Sequence, residues 1–149
     1  MDGTAPQWVR FGLVALGATQ AVVGLWALVA TRSWFDDFPG VGAHLVAAEP
    51  PFNRHLAADA GAGFVATGVA LLVAAVWSQR SAVYVALAAY LAFGLPHLLY
   101  HAAHPASALS GAAKVVNLLL LSSGVVFALV LAWGARPTTP TPAPPTDGA

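Results

Sequence analysis

No cysteine occurs anywhere in the chain. Disulfides, thiolate metal ligands and a cysteine nucleophile are therefore excluded, and a metal would have to be held by His, Asp, Glu or Asn. Charge is nearly as scarce. Asp, Glu, Lys and Arg make up 8% of the residues, against about a quarter in soluble domains. The basic and acidic residues cancel to a net charge of zero. With no basic run, neither a nucleic-acid partner nor electrostatic attachment to a membrane surface is indicated. What fills the chain instead is apolar: 58% of its 149 residues are hydrophobic. A soluble protein of this size has no way to bury that much apolar surface, so the natural solvent is a bilayer.

The apolar residues fall into four runs, each of the roughly 20 residues needed to cross a hydrocarbon core. They cover about 8–30, 54–77, 82–104 and 111–133. The fold expected is all-α: an antiparallel bundle of four transmembrane helices within 1–135, followed by a disordered Pro/Thr-rich tail over 136–149. The first run also invites reading as a signal peptide. It is longer than a typical h-region of about 7–15 residues, and Asp2 stands where positive charge is expected, so an uncleaved span is favoured. Gly12, Gly17, Ala21 and Gly24 give this span a small-residue surface for close packing, as Gly61, Gly63 and Gly68 do for the second. The segment 42–49 reads as a short interfacial helix, and Asn53 as the N-cap of the second span. Pro96 is expected to kink the third span.

Four spans place both termini on one side, with Arg10, Arg80 and Arg136, against Arg32, Arg54 and Lys114 on the other. This count is a tie under the positive-inside rule. Because long loops translocate readily, the orientation expected is a plasma-membrane protein with cytoplasmic termini. Trp8, Trp77 and Trp133 would form an aromatic belt on the terminal side, with Trp34 opposite.

The chemistry gathers at the other end. His97, His101 and His104 are three of the five histidines. Their spacing puts them on one helical face within about 60° of arc. His44, Asn53, His55, Asp59, Lys114 and Asn117 belong to the same half of the molecule. Asp59, one turn inside a span, is the most costly residue to insert and so the sharpest functional marker. His55 and Asp59 stand four apart and can pair. Asp59 with His97 and His101 forms a candidate catalytic acid–base set, with His55 and Asn117 orienting a ligand or cofactor. The same pattern suits metal binding by His97, His101, His104 and Asp59, with N/O ligands compatible with several transition metals. A haem held by His55 and His97 or His101 is a further, less favoured, cofactor. Gln20, mid-span, reads as an interhelical hydrogen-bonding residue.

The stretches PPFNRHLAADAG and LPHLLYHAAH resemble those of a group of small actinobacterial membrane proteins. In these, Asn53, His55, Asp59 and Gly61 open the second helix, and Pro96, His97 and His101 close the third. The layout over about 8–133 is also loosely similar, as architecture, to the DoxX-like superfamily. That resemblance implies an antiparallel four-helix bundle with redox or quinone-linked roles. The function expected is acid–base or metal-assisted chemistry on a lipid-soluble small molecule in a His/Asp pocket. The alternative is a lipid, quinone or metal carrier, or an accessory subunit without catalysis. The partners implied are membrane lipids and a hydrophobic small molecule, with self-association into a homo-oligomer left open.

Overall fold

The structure, a computed structural model, describes residues 3–137. The expected tail lies outside the described residues from 138 onward. Five helices make up the fold: α1 (Gln7–Val29), α2 (Thr31–Asp37), α3 (Arg54–Trp77), α4 (Arg80–Ala103) and α5 (Gly111–Gly134). Four of them, α1, α3, α4 and α5, are long and apolar enough to cross a membrane. The described residues include no strand, only an isolated bridge between Thr4 and Gln79.

Local chemistry explains three of the helix ends. Asn53 caps α3, its side-chain oxygen accepting from the Leu56 amide at 3.1 Å. Ser110 does the same for α5 through Ala113 at 3.2 Å. Each cap satisfies an amide that the helix itself leaves without a partner. Ser78 ends α3 in the left-handed conformation, at φ 55°, and the turn to α4 follows at once. Pro96 is accommodated within the continuous helix α4.

The short helix forms earlier than the sequence suggests. Residues 42–49 make turns, whereas Thr31–Asp37 is helical. Gly40 and Gly42 hold positive φ, which breaks any helix entering 42–49. In α2, by contrast, Arg32 pairs with Asp36 at 2.6 Å and Ser33 donates to Asp37 at 3.0 Å, both at i,i+4. Trp34 does not join an exposed belt. It is 8% exposed and packs 6.1 Å from Phe38 in a cluster with Ala27 and Ala57. Trp8, Trp77 and Trp133 are exposed, as expected.

Around the bundle, α1 touches α3 and α5, and α4 touches α3 and α5. Among the described residues the diagonal pairs make no backbone approach. The closest seam joins α1 to α3. A Cβ at Gly24 would lie 2.8 Å from the Gly61 carbonyl oxygen, and one at Gly17 would lie 3.0 Å from that of Gly68. Only hydrogen at these positions lets the backbones meet, the small-residue packing of membrane helices. Gly12 serves a different neighbour, making room for Leu131 and Phe127 of α5. Gly63 faces open space.

The core divides by depth. Near the termini, Val9, Leu13, Leu71, Val83, Leu87 and Leu131 join all four long helices in one buried cluster. Toward the other end, the buried cluster of Ala27, Trp34 and Ala57 belongs to α1, α2 and α3 alone. No residue of α4 after Tyr90 is fully buried, and none of α5 between Ala113 and Val125. The bundle is therefore tight at the terminal end and loosely filled where the histidines lie.

Candidate functional site

The histidines of α4 lie in the loosely filled half. His97 and His101 follow Tyr90 by seven and eleven residues, about 20° to either side of it on the helix. Tyr90 is 6% exposed, so the histidines continue the face that α4 buries in the core. Both are half-buried.

Their rings belong to a file of aromatic contacts. Phe64 of α3 meets Phe93 edge-on at 5.2 Å. Phe93 stacks on His97 at 5.5 Å, and His97 meets His101 edge-on at 4.7 Å. His101 touches Tyr100, which stacks on His104 at 4.7 Å. His104 Nδ1 lies 3.1 Å from the Tyr100 carbonyl oxygen, so the tautomer carrying its proton on Nδ1 donates there. The file runs from the α3–α4 contact out to the exposed end of α4. Edge-on and offset contacts of this kind add about 0.5–1.5 kcal/mol each beyond area burial. They also hold the imidazoles in defined orientations.

At the foot of this face sits a polar pair. Gln20 of α1 is the side-chain neighbour of the Tyr90 hydroxyl, and Gln20 Oε1 is buried without a hydrogen-bond partner. The hydroxyl lies in the space that a side chain at Gly124 of α5 would occupy. Asn117 precedes Gly124 by seven residues, as His97 follows Tyr90 by seven. The two therefore lie on the faces that carry the Tyr90–Gly124 contact, each about 10 Å from it toward the 104–110 connection. Asn117 is half-buried.

Asp59 and His55 stand apart from this arrangement. Asp59 Oδ2 lies 3.2 Å from His55 Nε2, and the two side chains are 62% and 83% exposed. Asp59 is two residues from Gly61, about 160° around α3 from the seam with α1. Its partner is thus on its own helix, one turn away. His104 is exposed. His44 is also exposed, with Nδ1 2.5 Å from the Asp36 carbonyl oxygen. Among the described residues no group of three or more His, Asp or Glu is arranged to hold a metal ion. His97, His101, His104 and Asp59 therefore do not assemble the ligand set that their sequence positions suggest. His97 with His101 is the titratable pair that the fold brings together in its interior half.

Tyr90, Phe93, Phe64 and Tyr100 were not singled out in the sequence. Spacing carried a signal for two of them: Phe93 and Tyr90 precede His97 by four and seven residues, on its face. Phe64 lies on another helix, and no local pattern announces it. No family model, curated protein or solved structure matches the chain.

Proposed function

We propose that the chain is an integral membrane protein, an antiparallel bundle of four spanning helices, that binds a lipid-soluble small molecule at the histidine face of α4 and exchanges protons with it. The observation that carries this reading is the half-buried His97–His101 pair, held against Phe93 in the half of the bundle where α4 buries no further residue and α5 buries only Ala113. Apolar walls suit a hydrophobic ligand, and imidazole both donates and accepts hydrogen bonds and titrates near neutral pH. His97 supplies the inner polar contact, His101 the exchangeable proton, and Asn117 a second hydrogen-bonding group. His104, with the exposed His55–Asp59 pair at the same end, supplies the proton path to water. A quinone-like molecule fits this chemistry, and the DoxX-like architecture is in keeping with it. The cytoplasmic membrane, with the termini inside, is the location proposed.

The test uses a short-chain benzoquinone as probe, with protein reconstituted in liposomes. His97→Ala and His101→Ala should each weaken binding at least tenfold. Asp59→Asn should change it less than threefold, because Asp59 contacts His55 rather than the inner pair. If a turnover is found, loss of the exchangeable proton should cost the 10²–10⁴-fold typical of general acid–base catalysis. Binding that survives both histidine substitutions, in variants that still fold, refutes the proposal.

A further inference from the structure

Tyr90 and Gln20 are polar groups of the interior that the proton exchange proposed above does not use. Tyr90, near the middle of α4, is 6% exposed. Gln20 lies on the inward face of α1. Leu13 and Ala27, seven residues to either side of it, are both 0% exposed, and seven residues bring a helix back to within about 20° of the same direction. Leu13 belongs to the core at the terminal end and Ala27 to the cluster at the other end. Gln20 therefore stands between the two buried clusters, where the tight half of the bundle gives way to the loose one.

A polar side chain at this depth has no bulk water to turn to, so protein or ligand must satisfy it. The Tyr90 hydroxyl is the side-chain neighbour of Gln20. Gln20 Oε1 is nevertheless buried with no hydrogen-bond partner. A buried acceptor without a donor is costly, and a hydroxyl brought to it by a ligand removes that cost. Glycines leave the walls thin at this level. Gly124 of α5 faces the Tyr90 hydroxyl, and Gly94 stands one turn further along α4, where a Cβ would lie 3.7 Å from the Tyr90 ring.

The next polar group on this face of α4 is His97, about 10 Å along the helix from Tyr90. Phe93, between them in the chain, stacks on His97 at 5.5 Å and adds an aromatic wall. A six-membered ring with para oxygens and a hydrogen bond at each end reaches about 11 Å, so one ring matches the separation. Imidazole donates or accepts, and so admits either a hydroxyl or a carbonyl at the outer end. The inner end is selective, because Oε1 only accepts. We infer that the histidine face takes a para-dihydroxy aromatic molecule, whose outer oxygen meets His97 and whose inner hydroxyl donates to Gln20 Oε1. Tyr90 is a positioning residue that holds the Gln20 amide. The quinone form of the same ring has no O–H to donate, so the site tells the two forms apart by one hydrogen bond.

This inference rests on the reading that the histidine face binds a lipid-soluble molecule. The experiment compares the binding of a short-chain hydroquinone, kept anaerobic, with that of the matching benzoquinone by protein in liposomes. The unaltered protein should bind the hydroquinone about tenfold more tightly, as expected for one buried acceptor satisfied or left without a donor. Gln20→Leu, of similar size but without the acceptor, should bring the ratio close to one and leave benzoquinone affinity within threefold. Tyr90→Phe, which keeps the ring, should lower the ratio about threefold without weakening benzoquinone. Should Gln20→Leu fail to fold, Gln20→Met makes the same test. An unchanged ratio in the folded Gln20 variant overturns the inference, and so does tighter binding of the benzoquinone by the unaltered protein. Loss of both probes from His97→Ala, with the ratio unchanged in Gln20→Leu, removes the inner contact alone. An unaltered protein that binds neither probe removes the histidine-face reading and the inner contact with it.

Discussion

Replacing Gly24 by alanine adds a single methyl group to the seam between α1 and α3, and the structure sets its cost. The new carbon would stand 2.7 Å from the Val65 amide nitrogen and 2.8 Å from the Gly61 carbonyl oxygen. Optimal contact between non-bonded heavy atoms is about 3.5–4.0 Å. Both obstacles are backbone, so no rotamer change relieves them and the helices must separate by several tenths of an ångström. Overpacking of this kind costs about 1–3 kcal/mol. The Gly-to-Ala gain in helix propensity, at most about 1 kcal/mol, offsets part of it. Gly63 provides the control: it has the same chemistry on the same helix pair, but nothing within 4 Å. Gly63→Ala should be neutral or slightly stabilising, so the two variants should differ by about 1–3 kcal/mol. Gly17→Ala, whose nearest obstacle is at 3.0 Å, should fall between them. The assay is thermal unfolding of the detergent-solubilised protein, followed by tryptophan emission, since Trp26 and Trp34 report on the α1–α2–α3 junction. A difference of this size corresponds to a shift of several degrees. If Gly24→Ala and Gly63→Ala unfold at the same temperature, the α1–α3 seam is not the close backbone contact described.

Gly124→Ala should destabilise the bundle because the new methyl group takes the place of the Tyr90 hydroxyl, and adding Tyr90→Phe should restore most of the loss. Failure of that rescue, measured in the same melt, would separate Gly124 from Tyr90. Asn53→Ala removes the side-chain cap of α3 and should cost about 1 kcal/mol; an unchanged melting temperature counts against the cap. Because the chain has no native cysteine, Val41→Cys, at a site 82% exposed in the α2–α3 connection, gives a clean topology probe. A membrane-impermeant maleimide should label it in intact cells, and labelling only after permeabilisation reverses the proposed orientation.

The four long helices were legible in the sequence because a long apolar helix is a local object. Its length and apolar content are written in consecutive residues, and its ends carry short-range signals such as Asn53. The glycine seam was half legible. Gly17, Gly24, Gly61 and Gly68 announced a surface for close approach, but not which helix would come close. Gly12 and Gly63 bear the same residue type and face α5 and open space instead. Trp34 looked like an interfacial ring until packing against Phe38 buried it.

The candidate site divides in the same way. That His97 and His101 share a face with Tyr90 follows from helical spacing alone. That Asp59 does not turn toward them does not follow from it, because its rotation about α3 was decided by the contact of Gly61 with α1. Once that seam forms, a residue two positions away points to the far side, where His55 is the partner within reach. Periodicity along one helix determined which side chains travel together. The choice of neighbouring helix determined where they point, because each rigid helix has one rotation, and the closest backbone contact sets it for every residue it carries.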